Sequence, residues 1–358
     1  MTAHSSDPSS GTSASAGASG TAWPEGLDLT LLDRHLHDIG VARSGDLRAE
    51  LIAGGRSNLT FLVSDDASKW VLRRPPLHGL TPSAHDMARE YMVISALEPT
   101  IVPVPHPVTM CADDSVLGTQ FQMVEYVPGR VVRHGPELAA LGDQHTIDRS
   151  VDALIAVLVD LHSLDPQTVG LGQFGKADGY LTRQVRRWGS QWDLVRLPDD
   201  PRDNDVRRLH NALSEAVPPQ SRGAIVHGDY RIDNAMLDLS DPTKVVAVLD
   251  WELSTLGDPL SDAALMCVYR HPMFSLVHAD AAWSSEQIPP MDQLAQKYSV
   301  AAGQPLNHWG FYLALAYFKL AIIAAGIDFR ARLSGTMDDP VAQAVAPLID
   351  EGLRALST

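Results

Sequence analysis

Residues 225–250 read IVHGDYRIDNAMLDLSDPTKVVAVLD, and this stretch decides how the rest of the chain is interpreted. Short apolar runs in and next to it predict strands at 224–226, 235–239 and 245–249. The turn-forming segment at 240–243 joins the last two runs as a hairpin. A polar loop separates the first strand from the second. The stretch therefore predicts a small β-structure that carries a polar loop.

Three polar side chains in this stretch occupy the ends of the predicted strands. Asp229 falls on the loop, Asn234 lies at the exit of the loop, and Asp250 follows the last strand. This arrangement allows all three side chains to converge on one point. A carboxylate that accepts a proton and two hard oxygen ligands are what magnesium-assisted phosphoryl transfer requires. The pattern therefore favours a small-molecule kinase.

The bulk composition limits the class of protein and its partners. The 358 residues are enough for two lobes that share one cleft. A net charge of −16 argues against nucleic acid or an anionic membrane as the main partner. Cys111 and Cys267 are far apart and match no metal-binding spacing, which predicts free thiols and a cytoplasmic location. We expect no nucleic-acid or membrane partner, and the sequence leaves the oligomeric state open.

Two segments raise the question of targeting or membrane insertion. The first 22 residues are rich in Ser, Ala and Gly and lack the basic start and apolar core of a signal peptide. We predict that residues 1–22 form a disordered tail. The most apolar segment, 311–327, is interrupted by Lys319 and is shorter than the ~20 residues that span a membrane. We expect a buried core helix there.

The strand and helix patterns change character near Pro128 and Gly129. Before this break, helices are predicted at 28–40 and from a capping box at 83–86 through Leu97. Strands are predicted in the same region at 47–53, 59–64, 69–74, 108–111 and 119–127. After the break, helices are predicted at 146–164, 179–194, 203–216, 259–269, 290–302, 306–333 and 339–356. The predicted fold class is α+β, with a small β-rich N-terminal lobe at 23–127, a larger helical C-terminal lobe at 128–358 and the ligand between them.

The motif His227-Gly228-Asp229, followed by Asn234 and Asp250, resembles the aminoglycoside phosphotransferase and choline kinase-like family, a branch of the protein-kinase-like fold. The segments HGDYRIDNAMLD, LDWELSTLGDPLSD and GLGQFGKADGYLTRQVRRW are most similar to a bacterial subfamily that resembles the kinase-like domain fused to some acyl-CoA dehydrogenases. The resemblance covers the chain from about residue 23 to its C-terminus. It implies a bilobal fold, ATP as the phosphate donor and Mg²⁺ as the cofactor.

The resemblance assigns a role to each polar residue of this region. Asp229 matches the catalytic Asp, which positions the substrate hydroxyl and accepts its proton. Asn234 and Asp250 match the two magnesium ligands that bridge the ATP phosphates. Glu252 forms an Asp-x-Glu pair similar to that of choline kinases, which implies support for a second metal ion. His227 is expected to brace the loop through backbone hydrogen bonds rather than to transfer protons.

The resemblance also implies a nucleotide-binding set in the N-terminal lobe, made up of Gly54, Gly55, Ser57, Asn58, Arg73, Glu90, Glu125 and Val127. The glycines permit close backbone approach to phosphates, and the Ser and Asn side chains of the same loop can donate to phosphate oxygens. Arg73 takes the place of the usual phosphate-binding lysine, with Glu90 as its ion-pair partner and Arg74 as an alternative. Segment 125–127 fits the hinge, where backbone groups pair with the purine edge.

The helix predicted at 179–194 carries Arg183, Arg186 and Arg187 on one face. This basic face is either solvated or meets an anionic substrate, such as a hydroxy acid or its CoA ester. An aminoglycoside pocket would instead be lined with carboxylates that meet ammonium groups. The basic face therefore weighs against an aminoglycoside, whereas the negative net charge weighs for one.

Together these patterns predict an ATP- and magnesium-dependent phosphotransferase that acts on the hydroxyl group of a small molecule. An aminoglycoside O-phosphotransferase is one alternative. A non-catalytic, nucleotide-binding pseudokinase is the other, because Arg73 replaces the usual lysine. Asp258 and Asp262 are expected to cap the helix at 259–269 and to anchor the catalytic loop. The acceptor, and the choice between ATP and GTP, stay open.

Overall fold

The protein is represented by a computed structural model that describes residues 26–53, 58–76, 87–336 and 339–357. The predicted tail at 1–22 and the predicted capping box at 83–86 lie outside these residues. Gly54, Gly55 and Ser57 of the predicted phosphate-binding loop also lie outside them. The predictions made for these segments therefore stay predictions.

The N-terminal part of the described chain is a five-stranded antiparallel sheet with helices on both faces. Its strands are β1 (Arg48–Ala53), β2 (Leu59–Ser64), β3 (Lys69–Arg74), β4 (Pro107–Cys111) and β5 (Phe121–Glu125), in the order β1-β2-β3-β5-β4. Its helices are α1 (Leu29–Asp38), α2 (Met87–Leu97) and α3 (Asp114–Leu117). Phe61, Leu72 and Met123 on one face pack against α1, whereas Val124 on the other face packs with α2. The predicted strands are confirmed, although the last one ends at Glu125 because the chain turns into the hinge there.

The C-terminal part is helical and carries two small sheets. Its helices are α4 (Gly135–Ala139), α5 (Gln144–Ser163), α6 (Tyr180–Val195), α7 (Asp203–Glu215), α8 (Pro259–Val268), α9 (Phe274–Val277), α10 (Met291–Ala302), α11 (Trp309–Leu333) and α12 (Val345–Leu356). Its strands are β6 (Arg130–Val131), β7 (Ala224–Val226), β8 (Ala235–Leu237), β9 (Val245–Val248) and β10 (Thr255–Gly257). They pair as β6-β8-β9 and β10-β7. Short 3-10 turns lie at Ile232–Asn234, Trp251–Leu253, Ala282–Ser284 and Pro340–Ala344.

All of the helices predicted in this lobe are present, and one of them needs a correction. The segment predicted as a single helix at 339–356 begins as the 3-10 turn Pro340–Ala344, and α12 starts only at Val345. The Asp339 side chain caps that turn by accepting from Val341 N–H, which is a separate start signal. The short elements α3, α4, α9, β6 and β10 were not predicted, because so few residues carry no readable periodicity.

Helix α11 forms the centre of the large lobe. It spans 25 residues and is the one helix in the described part of the chain long and apolar enough to cross a membrane. However, 72% of its most apolar window is buried inside the protein, where it packs against α6, α8 and α12. This packing agrees with the predicted core helix. Lys319, which interrupts the apolar segment 311–327 of this helix, points to the loop that follows β7.

Candidate active site

A tight turn after β7 starts the polar loop at residues 227–234. Gly228 has a φ of 86°, in the left-handed region that favours glycine. A Cβ atom on Gly228 would lie 2.7 Å from the carbonyl oxygen of Leu253, which is closer than two such atoms approach. The glycine therefore lets the loop run directly against the segment that follows Asp250.

The buried carboxylate of Asp262, on α8, stabilises this turn. Its two oxygens accept hydrogen bonds from the backbone N–H groups of His227, at 2.5 Å, and Gly228, at 2.8 Å. His162 Nε2 lies 3.4 Å from the same carboxylate. Although burial opposes ionisation, the hydrogen bonds from His162 and Gly228 hold the pKa of Asp262 below its ordinary value. The expected anchoring role of Asp262 is thus present in the structure, and Asp258 caps α8 at Leu260 as predicted.

His227 and Tyr230 also make hydrogen bonds that hold the loop in place. His227 Nε2 lies 2.9 Å from the Leu249 carbonyl oxygen, and its Nδ1 accepts the backbone N–H of Asp229. Tyr230 donates its hydroxyl to the Leu154 carbonyl on α5. Both ring nitrogens of His227 are therefore engaged with backbone, which agrees with its interpretation as a brace.

A buried lysine on α11 also binds the loop. Lys319 Nζ donates to the carbonyl oxygen of Gly228 at 2.7 Å and lies 5.7 Å from the Trp188 ring. Burial lowers the pKa of Lys319, while the negative charges of Asp229 and Asp262 oppose that shift. A buried ammonium group in an apolar helix is costly unless it is paired. The contact with the loop explains why a lysine occurs in α11.

Asp229 lies at the centre of a hydrogen-bonded cluster. Its Oδ1 accepts from Arg231 Nη1 at 2.8 Å and from the Tyr269 hydroxyl. Its Oδ2 accepts from Asn234 Nδ2 at 3.1 Å. Arg231 also donates to Asp233 at 2.6 Å. The carboxylate is thereby held in one orientation next to Arg231 and Asn234, which line the cleft between the lobes.

The β8–β9 hairpin brings Asn234 and Asp250 to the same place. Asn234 directly precedes β8, and its carbonyl oxygen accepts from Leu249 N–H at 2.8 Å, one residue before Asp250. The Asn234 amide nitrogen donates to Asp229, which leaves its Oδ1 for a ligand. Asp250 Oδ1 is buried without a hydrogen-bond partner among the described residues. The two predicted ligands therefore share one wall of the cleft with Asp229 next to them.

This donor set fits Mg²⁺ bound together with a nucleotide. In the described part of the chain, no group of three or more His, Cys, Asp or Glu side chains forms a complete cation site. Mg²⁺ commonly uses only one or two carboxylates and completes its shell with waters and phosphate oxygens. The unpartnered Asp250 oxygen and the Asn234 amide oxygen supply the hard ligands that such a site needs.

Arg73, on β3 of the N-terminal lobe, lines the same cleft. It donates to Glu90 on α2, whose side chain is only 2% exposed. Burial raises the pKa of Glu90, and the positive charge of Arg73 opposes that shift. Arg74 extends to the opposite face of the sheet, where it donates to the carbonyls of Gly26 and Leu117. The alternative that placed Arg74 in the nucleotide site is therefore wrong, because adjacent strand residues point to opposite faces.

The cleft between the lobes has a volume of about 460 Å³. Its lining includes Arg73, Glu90, Glu125, Val127, Asn234 and Asp250. Neither backbone group of Val127 is hydrogen-bonded to a described residue, so both are available to a ligand at the hinge. Six of the predicted site residues are thus brought together around one cavity.

A second pocket of about 470 Å³ adjoins the cleft at Glu90. Asn58 and Glu252, which were predicted with the nucleotide and metal residues, line this second pocket instead. Although Glu252 is solvent-accessible, partial desolvation of its carboxyl group and the negative charge of Asp250 raise its pKa to about 7. The predicted second-metal role of Glu252 stays a prediction.

Sequence reasoning missed three residues at this site. Arg231 lies inside the HGDYRIDN motif but was given no role, although a charge between two acids is a readable signal. Lys319 was noted only as an interruption of an apolar segment. Tyr269 has no signal in the sequence, because it reaches Asp229 from a position 40 residues away.

The comparisons with known proteins agree with this architecture. Residues 48–298 match the phosphotransferase enzyme family that includes the aminoglycoside phosphotransferases. The chain therefore belongs to this family. It is 30% identical to a Ralstonia eutropha JMP134 protein solved as a candidate aminoglycoside phosphotransferase, with a TM-score of 0.78 over 92% of this chain and 98% of the other. The predicted family and the predicted bilobal, protein-kinase-like fold are confirmed.

Two further relatives bear on the subfamily and on the fold. The chain is 35% identical over 334 residues to acyl-CoA dehydrogenase family member 11 from Pongo abelii, covering 90% of this chain and 42% of the relative. The chain thus spans less than half the length of that relative. A thermostable mutant of aminoglycoside phosphotransferase APH(4)-Ia, solved with AMP-PNP and hygromycin B, is 16% identical with a TM-score of 0.60, covering 91% of this chain and 98% of the other. This last likeness shows the fold alone.

Replacing Arg73 by Met should lower the free energy of unfolding by about 3 kcal/mol, because it leaves the Glu90 carboxylate buried without its charged partner. The double variant Arg73→Met/Glu90→Gln should be more stable than Arg73→Met alone. Chemical denaturation of wild type, both single variants and the double variant measures these values as a cycle. Costs that simply add in the double variant would contradict the buried pair.

Proposed function

We propose that this protein is an ATP- and magnesium-dependent phosphotransferase that transfers the γ-phosphate to a hydroxyl group of a small molecule. The observation that carries the proposal is that Asn234 and Asp250 line a 460 Å³ cleft and that Asn234 donates directly to the carboxylate of Asp229. Arg73, on β3 of the N-terminal lobe, lines the same cleft. Family membership supports the reaction class, and the nucleotide analogue bound to APH(4)-Ia supports a nucleotide in this cleft.

Each residue in the cleft has a proposed task. Asp229 orients the acceptor hydroxyl and takes its proton as the oxygen attacks the γ-phosphorus. Arg73 binds the phosphate groups of the nucleotide with its permanent charge. Asn234 and Asp250 would hold Mg²⁺, which supplies charge neutralisation on the transferring phosphoryl group when bound. Backbone groups of segment 125–127 would pair with the purine.

The second pocket supports an anionic acceptor, namely a hydroxy acid or a hydroxyacyl-CoA. Lys176 and Arg187 line it, and neither side chain makes a hydrogen bond or ion pair with a described residue. The Arg187 guanidinium lies 5.5 Å from the Trp188 ring. Arg183 is different, because its guanidinium donates to the carbonyls of Lys176 and Asp178 and so shapes the pocket wall. The similarity to acyl-CoA dehydrogenase family members supports the same acceptor class. The two unpaired cations are therefore the proposed contacts for the acceptor's negative charge.

The cytoplasm is the proposed setting of the reaction. Cys111 and Cys267 are both buried and unpaired in the structure, as expected in a reducing compartment. Burial raises the pKa of both thiols, which keeps them in the neutral form. We assign them to the core and to no part of the reaction.

An acceptor screen with ATP and Mg²⁺ tests the proposed reaction. Hydroxy acids, hydroxyacyl-CoAs, amino alcohols and aminoglycosides should be compared, with phosphate-ester formation followed by ³¹P NMR. Asp229→Ala should reduce transfer at least roughly hundredfold, because the proton acceptor is lost. Equal rates for wild type and Asp229→Ala on every acceptor would favour the pseudokinase alternative. Transfer to aminoglycosides alone would favour the antibiotic-modifying alternative.

Charge reversal on α6 tests the proposed acceptor site. Arg187→Glu should raise KM for an anionic acceptor roughly tenfold, because attraction is replaced by repulsion in a partly desolvated pocket. The KM for ATP should stay the same. Arg186→Glu is the matched control, since Arg186 is exposed on the same helix and does not line the pocket.

An equal effect of the two substitutions on acceptor KM would show that only the net charge matters. In that case the second pocket would not be the acceptor site.

A further inference from the structure

The two oxygens of the Asp229 carboxylate have unequal surroundings. Oδ1 accepts two hydrogen bonds, one from Arg231 Nη1 at 2.8 Å and one from the Tyr269 hydroxyl. Oδ2 accepts only a longer bond of 3.1 Å, from Asn234 Nδ2. A carboxylate oxygen that already accepts two strong donors is the weaker proton acceptor of the pair. Oδ2 is therefore the oxygen that remains available to an incoming hydroxyl group.

Tyr269 lies at the end of the helix that holds the 227–234 loop. It follows α8 directly, and α8 carries Asp262 and is capped by Asp258. Its ring is 3% exposed and packs against Phe274 at 4.6 Å between ring centroids. Burial and the nearby charge of Asp229 raise the pKa of Tyr269, so its hydroxyl stays protonated and acts as a donor. Helix α8 thus fixes Asp229 twice, through the backbone of the loop and through its side chain.

Other charged groups face this pair from several elements. Arg231 and Asp233 lie on the loop itself, and Arg231 also stacks over the Tyr269 ring at 5.1 Å. Lys319 approaches the loop from α11, where it binds the Gly228 carbonyl. His278, after α9, lies 3.7 Å from Asp233. The Tyr269 hydroxyl itself is uncharged, so its removal changes the hydrogen bonding of Asp229 without changing the net charge.

We propose that Tyr269 is a positioning residue for the transfer reaction, because its hydroxyl holds Oδ1 of Asp229 and thereby aims Oδ2 at the acceptor. The inference rests on the proposed function and adds a residue to it. In the step concerned, the acceptor oxygen forms a bond to the γ-phosphorus of ATP. The bond from that phosphorus to the β–γ bridging oxygen breaks, and its electron pair leaves with ADP. The acceptor proton passes to Oδ2 of Asp229.

Tyr269→Phe tests this role, since it removes one hydroxyl and keeps the ring that contacts Phe274 and Arg231. We expect kcat to fall roughly tenfold or more, because a hydrogen bond to a charged group is lost. The KM for ATP should stay the same.

Tyr317→Phe is the matched control. Tyr317 is also buried, and its hydroxyl contacts only the Met291 sulfur at 3.4 Å, on the side of α11 that faces α10. This control should leave kcat and the KM for ATP unchanged. Binding of ATP and the melting temperature of each variant show whether it is folded.

A double-mutant cycle shows whether Tyr269 acts through Asp229. In an Asp229→Asn background, Tyr269→Phe should cause little further loss of the residual rate, since its partner is already changed. An active wild type whose kcat is matched by Tyr269→Phe would overturn the inference. So would equal losses in both backgrounds. A wild type without transfer or ATP hydrolysis would instead contradict the proposed function, and the inference would fall with it.

Discussion

The contact on which the site depends is the buried carboxylate of Asp262, which accepts the backbone N–H groups of His227 and Gly228. Two peptide groups at a tight turn would otherwise lie in the core without acceptors, which costs free energy. The carboxylate fixes the turn, and the turn fixes where the following residues point. The positions of Asp229 and Asn234 therefore depend on a residue that lines neither the cleft nor the second pocket.

Carboxylates lie close together where the cleft meets the second pocket. Glu90 and Asp250 line the cleft and Glu252 lines the second pocket, while Arg73 and Arg231 are each paired with a carboxylate. Partial desolvation of its carboxyl group and the negative charge of Asp250 raise the pKa of Glu252 to about 7. A divalent cation relieves such repulsion, and a nucleotide brings phosphate oxygens that complete its shell. The charge pattern thus favours metal and nucleotide binding together.

Residues that are close in sequence were predicted well, and residues joined only by the tertiary fold were not. Asp229, Asn234 and Asp250 belong to one strand–loop–hairpin segment, so spacing and strand periodicity were enough to place them together. The resemblance was enough to pair Arg73 with Glu90. Arg74 is excluded from the nucleotide site because adjacent residues of β3 point to opposite faces of the sheet. Tyr269, directly after α8, and Lys319, on α11, contact the loop through the tertiary fold. A local sequence pattern does not predict such contacts.

Hydrogen exchange of the 227–234 loop in Asp262→Asn tests the account most directly. An amide side chain can accept at one oxygen only, so one of the two turn N–H groups loses its acceptor. We expect at least roughly tenfold faster exchange at whichever of His227 and Gly228 loses its acceptor, together with loss of phosphoryl transfer and retained folding of the lobes. Unchanged exchange with unchanged transfer would contradict the claim that Asp262 holds the site in place.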